Sequence, residues 1–228
     1  MIGKNQLSAI NPDELEFYVH KALKGFKGKC PKIICSEISN LSLLKTTQRR
    51  LKEKEFIESK IYNNISGKND NFCGLYWLSS GKPQLMLPSE FGSFISITNE
   101  DDYCVFTIGN FSQGCDLALI SNERNDKSHW NNLLSNRQGD LLDLLCRKDR
   151  SVSYAGTRAW SIVESLIKAR SEPIEKIPIL DYEYNDEIET FYFQTTLKQK
   201  SFFALSTIVS FLKSDNEYIF SLVIEEAK

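Results

Sequence analysis

The chain has 228 residues, enough for one large domain or two small ones on a length prior of about 150 residues per domain. Its hydrophobic fraction of 41% and charged fraction of 25% exclude a disordered chain. With 28 Lys plus Arg against 30 Asp plus Glu, the net charge of -2 argues against a nucleic-acid wrapper, but leaves room for a local basic patch facing a phosphorylated small molecule.

In chain order, Asn11 to Phe26 reads as a helix. Asn11 can cap it, Pro12 suits its first position, and Asp13 and Glu14 interact favourably with the N-terminal dipole. Leu15, Tyr18, Val19 and Ala22 recur at helical spacing. Lys32 to Ile38 reads as a short strand, and Leu43 to Tyr62 as a charged helix with Leu44, Leu51, Phe56 and Ile57 as its inner face. Ser66 to Asn71 is a polar loop. Short strands follow at Cys73 to Leu78, Phe94 to Thr98, Tyr103 to Gly109 and Gly114 to Ile120, with Gly81-Lys82-Pro83 as a turn and Asn99 to Asp102 as a hairpin connection. Asn110 to Gln113 is a midpoint hinge.

Beyond the hinge the pattern repeats loosely. Helical stretches cover Ser128 to Leu134, Gly139 to Cys146 and Ser153 to Arg170, the last ended by Pro173 and Pro178. Strands are expected at Ile179 to Tyr184, Thr190 to Thr196, Phe202 to Leu212 and Tyr218 to Glu225. Strands cluster instead of alternating with helices, which gives an α+β class and two similar halves, 1–110 and 111–228.

The longest near-apolar run, Phe202 to Leu212, falls short of the roughly 20 residues a membrane span needs, and the N-terminal segment lacks an apolar signal core. Six cysteines, none in a C-x-x-C, read as reduced thiols, so a cytoplasmic protein is expected. The two histidines, His20 and His129, lie in no nucleophile motif, and there is neither a Walker phosphate loop nor a dinucleotide fingerprint.

Three segments hold residues with chemistry to offer, and each has a plain alternative. In TRAWSIVESLIKA, Trp160, Glu164 and Lys168 recur every four residues along one helix face; Glu164 and Lys168 can equally be a surface ion pair. In QGCDLALI, Asp116 interrupts an apolar strand, either at a solvent-facing end or aimed into a cleft. In GKPQLMLPSEFGSFISITN, Lys82 can reach a phosphate as a point charge, or Gly-Lys-Pro is simply a good turn.

Taken together, GKP, ISITN, GCDL and W-x-x-x-E-S-L-x-K-A stand in an order and spacing that resemble the 4′-phosphopantetheinyl transferases of the surfactin-synthetase type. The wording GCDL and A-G-T-R-x-W is closest to those serving polyketide and polyunsaturated fatty-acid synthases, and the likeness spans residues 81 to 169. The resemblance implies a pseudo-dimer of two α+β halves with coenzyme A in the cleft between them. It implies Mg²⁺-dependent transfer of the phosphopantetheine arm to a serine of an acyl or peptidyl carrier protein. Asp116 and Glu164 would bind the metal, Glu164 would also help deprotonate the serine, and Lys168 would steady the diphosphate. Lys82, Thr98 and Asn99 would approach a coenzyme A phosphate, with Arg49 and Arg50 as candidate nucleotide contacts.

Three positions depart from the family pattern: Ala118 replaces the second acid of D-x-E, Asn99 replaces a histidine, and Val163 replaces the lysine of W-x-x-K-E. The loss at Ala118 predicts weaker Mg²⁺ binding, because two carboxylates with diphosphate oxygens and water still fill an octahedron. The alternative is a noncatalytic relative that binds coenzyme A or a carrier protein as a scaffold or regulator.

Overall fold

The computed structural model describes residues 9–23, 29–65, 74–86, 94–135 and 138–226. A 3-10 turn at Pro12–Glu14 leads into α1 (Leu15–Ala22), with the Glu14 carboxylate accepting the Asn11 N–H at 2.8 Å. Then come β1 (Lys32–Glu37), α2 (Thr46–Ile65), β2 (Gly74–Trp77), β3 (Pro83–Met86), β4 (Phe94–Glu100) and β5 (Tyr103–Gly109). The remainder is β6 (Gln113–Leu119), α3 (Lys127–Leu133), α4 (Gly139–Cys146), α5 (Val152–Arg170), β7 (Asp181–Asn185), β8 (Thr190–Leu197), β9 (Lys200–Ser210) and β10 (Glu217–Glu225).

The class is α+β. Every ladder is antiparallel, in sheets ordered β1-β5-β4, β2-β3 and β6-β10-β9-β8-β7. Among the described residues, three apolar clusters hold these layers. One lies under α3, α4 and α5 against β8 and β9, and one under α2 against β2 to β5. The third joins Leu15 and Val19 of α1 to Val105, Leu117, Leu205 and Phe220, so strands from both sheets share it. Among the described residues, no helix is long and apolar enough to cross a membrane.

Two glycines let the backbone approach closely. A Cβ on Gly114 of β6 would lie 1.9 Å from the Ser165 carbonyl oxygen, so α5 rests directly on the strand. A Cβ on Gly156 would lie 2.2 Å from the Trp130 ring, which is buried under α5 and donates from Nε1 to Arg124 O at 2.8 Å. The α5 helix ends where Ser171 takes a left-handed φ of 60° and returns its N–H to Ile167 O; Pro173 follows.

The open edge of β6 meets a face of β4. Within β6, alternate N–H groups bond to β10, and the others point away from it. Two of those outward donors are met by hydroxyls, Cys115 N–H by Ser96 Oγ at 3.0 Å and Leu117 N–H by Thr98 Oγ1 at 3.1 Å. The step of two residues on each strand sets β4 and β6 running in the same direction.

Some details differ from the sequence reading. The inner face of α2 is Glu53, Ile57 and Ile61, with Leu51 57% exposed. That helix starts at Thr46, because Leu41 to Leu44 form turns. The sequence reading gives a turn at Gly81-Lys82-Pro83 and no strand at β3; Pro83 hides it, since proline is poor within strands but tolerated at the first residue of one. Phe26, Cys73 and the loop from Ser66 to Asn71 lie outside the described residues.

Candidate functional site

The site sits where β4, β6 and α5 converge. Trp160, Glu164 and Lys168 form a partly exposed stripe along α5, while Ile162, Leu166 and Ala169 turn into the core. Alternation along β6 sends Cys115 and Leu117 into the shared apolar cluster and Asp116 to the opposite face, toward α5.

Asp116 is 7% exposed. Its Oδ1 accepts from Lys168 Nζ at 2.8 Å and from Thr98 Oγ1 at 3.1 Å. Lys168 Nζ also donates to Cys115 O at 3.0 Å. Lys168 therefore pairs with Asp116 across the fold, and not with Glu164 one turn away. Burial alone would lower the Lys168 pKa, but Asp116, Cys115 and Glu164 outweigh it and raise it.

Glu164 is half-buried and makes no hydrogen bond or salt bridge within the described residues. Burial pushes its pKa up, Lys168 pulls it down, and Asp116 pushes it up again. Glu100, at the end of β4, is likewise half-buried without such a bond, and its pKa is pushed up to about 7 by burial and by Asp101 and Asp116, with Arg124 opposing.

A cavity of about 380 Å³ opens beside Lys168. Arg49 and Arg50 of α2, Trp77, Lys82, Asn99 and Lys168 stand around it, with Ile95, Ile97 and Ile167 as apolar wall. Glu53 also lines it, whereas Asp116 and Glu164 do not; Lys168 alone belongs both to the cavity wall and to the Asp116 ion pair. Gly81, at φ +83°, allows the tight turn that presents Lys82, whose Nζ reaches Ser171 Oγ at the end of α5.

Consecutive strand residues point oppositely, and this separates the pair Thr98 and Asn99. Thr98 joins the acids. Asn99 faces α2 and donates from Nδ2 to Glu53 Oε1 at 2.8 Å. Glu53 is buried, its pKa pushed up by burial against the pull of Arg49 and Arg50. Arg49 Nε lies 3.5 Å from Glu53 Oε1, yet it is buried and forms no hydrogen bond, a donor left over at the cavity wall.

The structure thus joins Asp116, Lys168 and Thr98 by hydrogen bonds, with Glu164 coupled to Asp116 and Lys168 electrostatically, and sets Lys82, Asn99, Arg49 and Arg50 around the neighbouring cavity. Sequence reasoning missed Glu53, Trp77 and Glu100. Glu53 follows Arg49 by one helical turn, the only signal available for it; Glu100 sits past an expected strand end and carried none.

The donor set suits a hard cation. Oδ2 of Asp116 and the whole Glu164 carboxylate are free of hydrogen bonds and ion pairs within the described residues. Mg²⁺ commonly takes one or two carboxylates, with phosphate oxygens and water completing its shell. Among the described residues no three His, Cys, Asp or Glu side chains already stand grouped around a metal position. No protein-family model and no curated protein matches the chain.

Proposed function

We propose that the protein transfers the 4′-phosphopantetheine arm of coenzyme A to a serine of an acyl or peptidyl carrier protein. The observation that carries this reading is the junction at Lys168, which lines a cavity with Arg49, Arg50 and Lys82 and at the same time bonds the Asp116 carboxylate. The cavity offers Arg49, Arg50, Lys82 and Lys168 to phosphates, and Trp77 with the isoleucines to a base. Arginine forks and lysine point charges are the usual partners of phosphate oxygens.

The strand orders support a pseudo-dimer with its boundary at 110/111. β1-β5-β4 and β6-β10-β9 both place the first strand of a half beside its last and the last beside its penultimate. In both, a long helix, α2 or α5, and then a hairpin precede those closing strands.

In the proposed reaction the carrier serine Oγ attacks the phosphorus of the pantetheine phosphate. The new Oγ–P bond forms as the P–O bond to the second phosphate breaks, releasing adenosine 3′,5′-bisphosphate. Glu164 helps take the serine proton, directly or through water. Lys168 holds the diphosphate charge at the border between cavity and acids, and Thr98 fixes the Asp116 carboxylate through its hydroxyl. Bound through Asp116 and Glu164, Mg²⁺ would neutralise charge developing on the diphosphate.

A second reading is favoured by one observation: Asp116 Oδ1 is already taken by Lys168 and Thr98, and Ala118 adds no acid. On that reading the cavity binds coenzyme A without turnover and the protein is a scaffold. Incubation with Mg²⁺, coenzyme A and apo carrier proteins, followed by intact mass, separates the two. A phosphopantetheine adduct supports transfer; binding of coenzyme A with no adduct on any of several carriers that a standard transferase modifies defeats it.

A further inference from the structure

The cavity beside Lys168 holds an acid among its cations. Glu53, on the inner face of α2, lines it together with Arg49, Arg50, Lys82 and Lys168, although only 4% of the residue is exposed. The protein grips this carboxylate by one oxygen. Oε1 accepts from Asn99 Nδ2 at 2.8 Å and lies 3.5 Å from Arg49 Nε. Oε2 has neither a hydrogen bond nor an ion pair among the described residues. Strand alternation sets Ile95, Ile97 and Asn99 on one face of β4, so Asn99 continues the apolar wall and pins Glu53 beside it.

A ligand that fills the cavity takes solvent away from that free oxygen. Leaving a carboxylate oxygen dry and without a donor is costly, so the ligand must bring one. A phosphate pressed against Glu53 would be repelled, and the neighbouring arginines and lysines already provide for phosphates. What fits Oε2 is an uncharged N–H or O–H group. We infer that Glu53 is a specificity residue of the cavity, accepting a hydrogen bond from the base amino group or a ribose hydroxyl of a nucleoside diphosphate whose phosphates meet Arg49, Arg50, Lys82 and Lys168. This rests on the nucleotide reading of the cavity and deepens it: the cations hold the charge, and Glu53 chooses what the charge is attached to. A site built around such an acceptor rejects analogues that lack the donor, because its own buried group is then left unpaired.

The test is calorimetric titration of the full chain with pyrophosphate, adenosine 5′-diphosphate and two analogues. Purine riboside 5′-diphosphate lacks the amino group, and 2′,3′-dideoxyadenosine 5′-diphosphate lacks the ribose hydroxyls. In wild type, one analogue should bind about tenfold or more weaker than adenosine 5′-diphosphate, and which one it is names the donor. In Glu53→Leu, pyrophosphate should bind as well as before or better, since a negative charge has gone. Adenosine 5′-diphosphate should instead weaken about tenfold and lose its advantage over that analogue. Thermal melts check that the variant is folded, and the wild-type series stands without it. If both analogues match adenosine 5′-diphosphate in wild type, or pyrophosphate and nucleotide change alike in a folded Glu53→Leu, the role of Glu53 is overturned and the cavity keeps its phosphates. If pyrophosphate, adenosine 5′-diphosphate and coenzyme A all fail to bind wild type, the nucleotide reading falls and this role with it.

Discussion

Replacing Gly114 by alanine tests whether α5 is placed by direct backbone contact with β6. The backbone of Gly114 is not left-handed, so alanine brings no torsional strain, and its whole effect is steric. Its methyl would lie 1.9 Å from Ser165 O and 2.7 Å from Ala169 N, where real contacts do not fall below 3.0 Å. Both atoms belong to the helix backbone and cannot rotate away, so α5 and β6 must separate by roughly 1 Å. Overpacking of this kind costs about 1–3 kcal/mol. The separation also stretches the bonds from Lys168 Nζ to Cys115 O and Asp116, 3.0 and 2.8 Å long, which adds about 1–2 kcal/mol. A loss of about 3 kcal/mol should lower the midpoint of thermal unfolding by roughly 10 °C in a domain of this size. Urea unfolding followed by tryptophan fluorescence gives the free energy directly. A loss under about 1 kcal/mol with an unchanged m-value would refute the close contact, and with it the placement of Glu164 and Lys168 over Asp116.

Lys168→Met keeps the stem of the side chain but strands the buried Asp116 carboxylate; it should cost about 2–3 kcal/mol in urea unfolding, and no cost would mean the pair is not formed. The raised Glu100 pKa makes stability depend on pH. Its protonated form is favoured in the fold, so its contribution is full below the ordinary value of 4.5 and is lost as pH rises through about 7. Glu100→Gln should therefore be more stable than wild type at pH 8, by about 1–2 kcal/mol once solvent screening is allowed for, and equal to it near pH 4. Equal stability at both pH values, read from paired urea curves, would contradict the buried placement. Arg50→Ala should weaken adenosine 3′,5′-bisphosphate binding about tenfold in calorimetry and flatten its dependence on salt, whereas a variant identical to wild type would move the nucleotide out of this cavity.

Much of the architecture was legible because local patterns specify it. The stripe and apolar sides of α5 gave Ser153 to Arg170 against an observed Val152–Arg170, and short apolar runs on either side of the Asn99 to Asp102 connection gave β4 and β5. On α2, Phe56 and Ile57 face the core as expected, but Leu51 does not. A leucine counts as inward on hydropathy, yet Leu51 is exposed while Glu53 is buried by its bond to Asn99 and its closeness to Arg49. Those partners come from a distant strand and from the same helix, and hydropathy sees neither. The site shows the same division. Motif order pointed to Asp116, Glu164 and Lys168, but the choice of Asp116 over Glu164 as partner for Lys168 depends on how closely α5 lies on β6, which Gly114 decides. Glu100 was invisible because its half-buried position depends on packing between elements distant in sequence.

That hydroxyl-mediated meeting of β4 and β6 has a consequence for molecular recognition. A free strand edge invites any extended peptide to bind by lengthening the sheet, with little regard for its sequence. Ser96 and Thr98 occupy the donors that such a peptide would need. The chain's own β4 thereby closes this edge to strand addition.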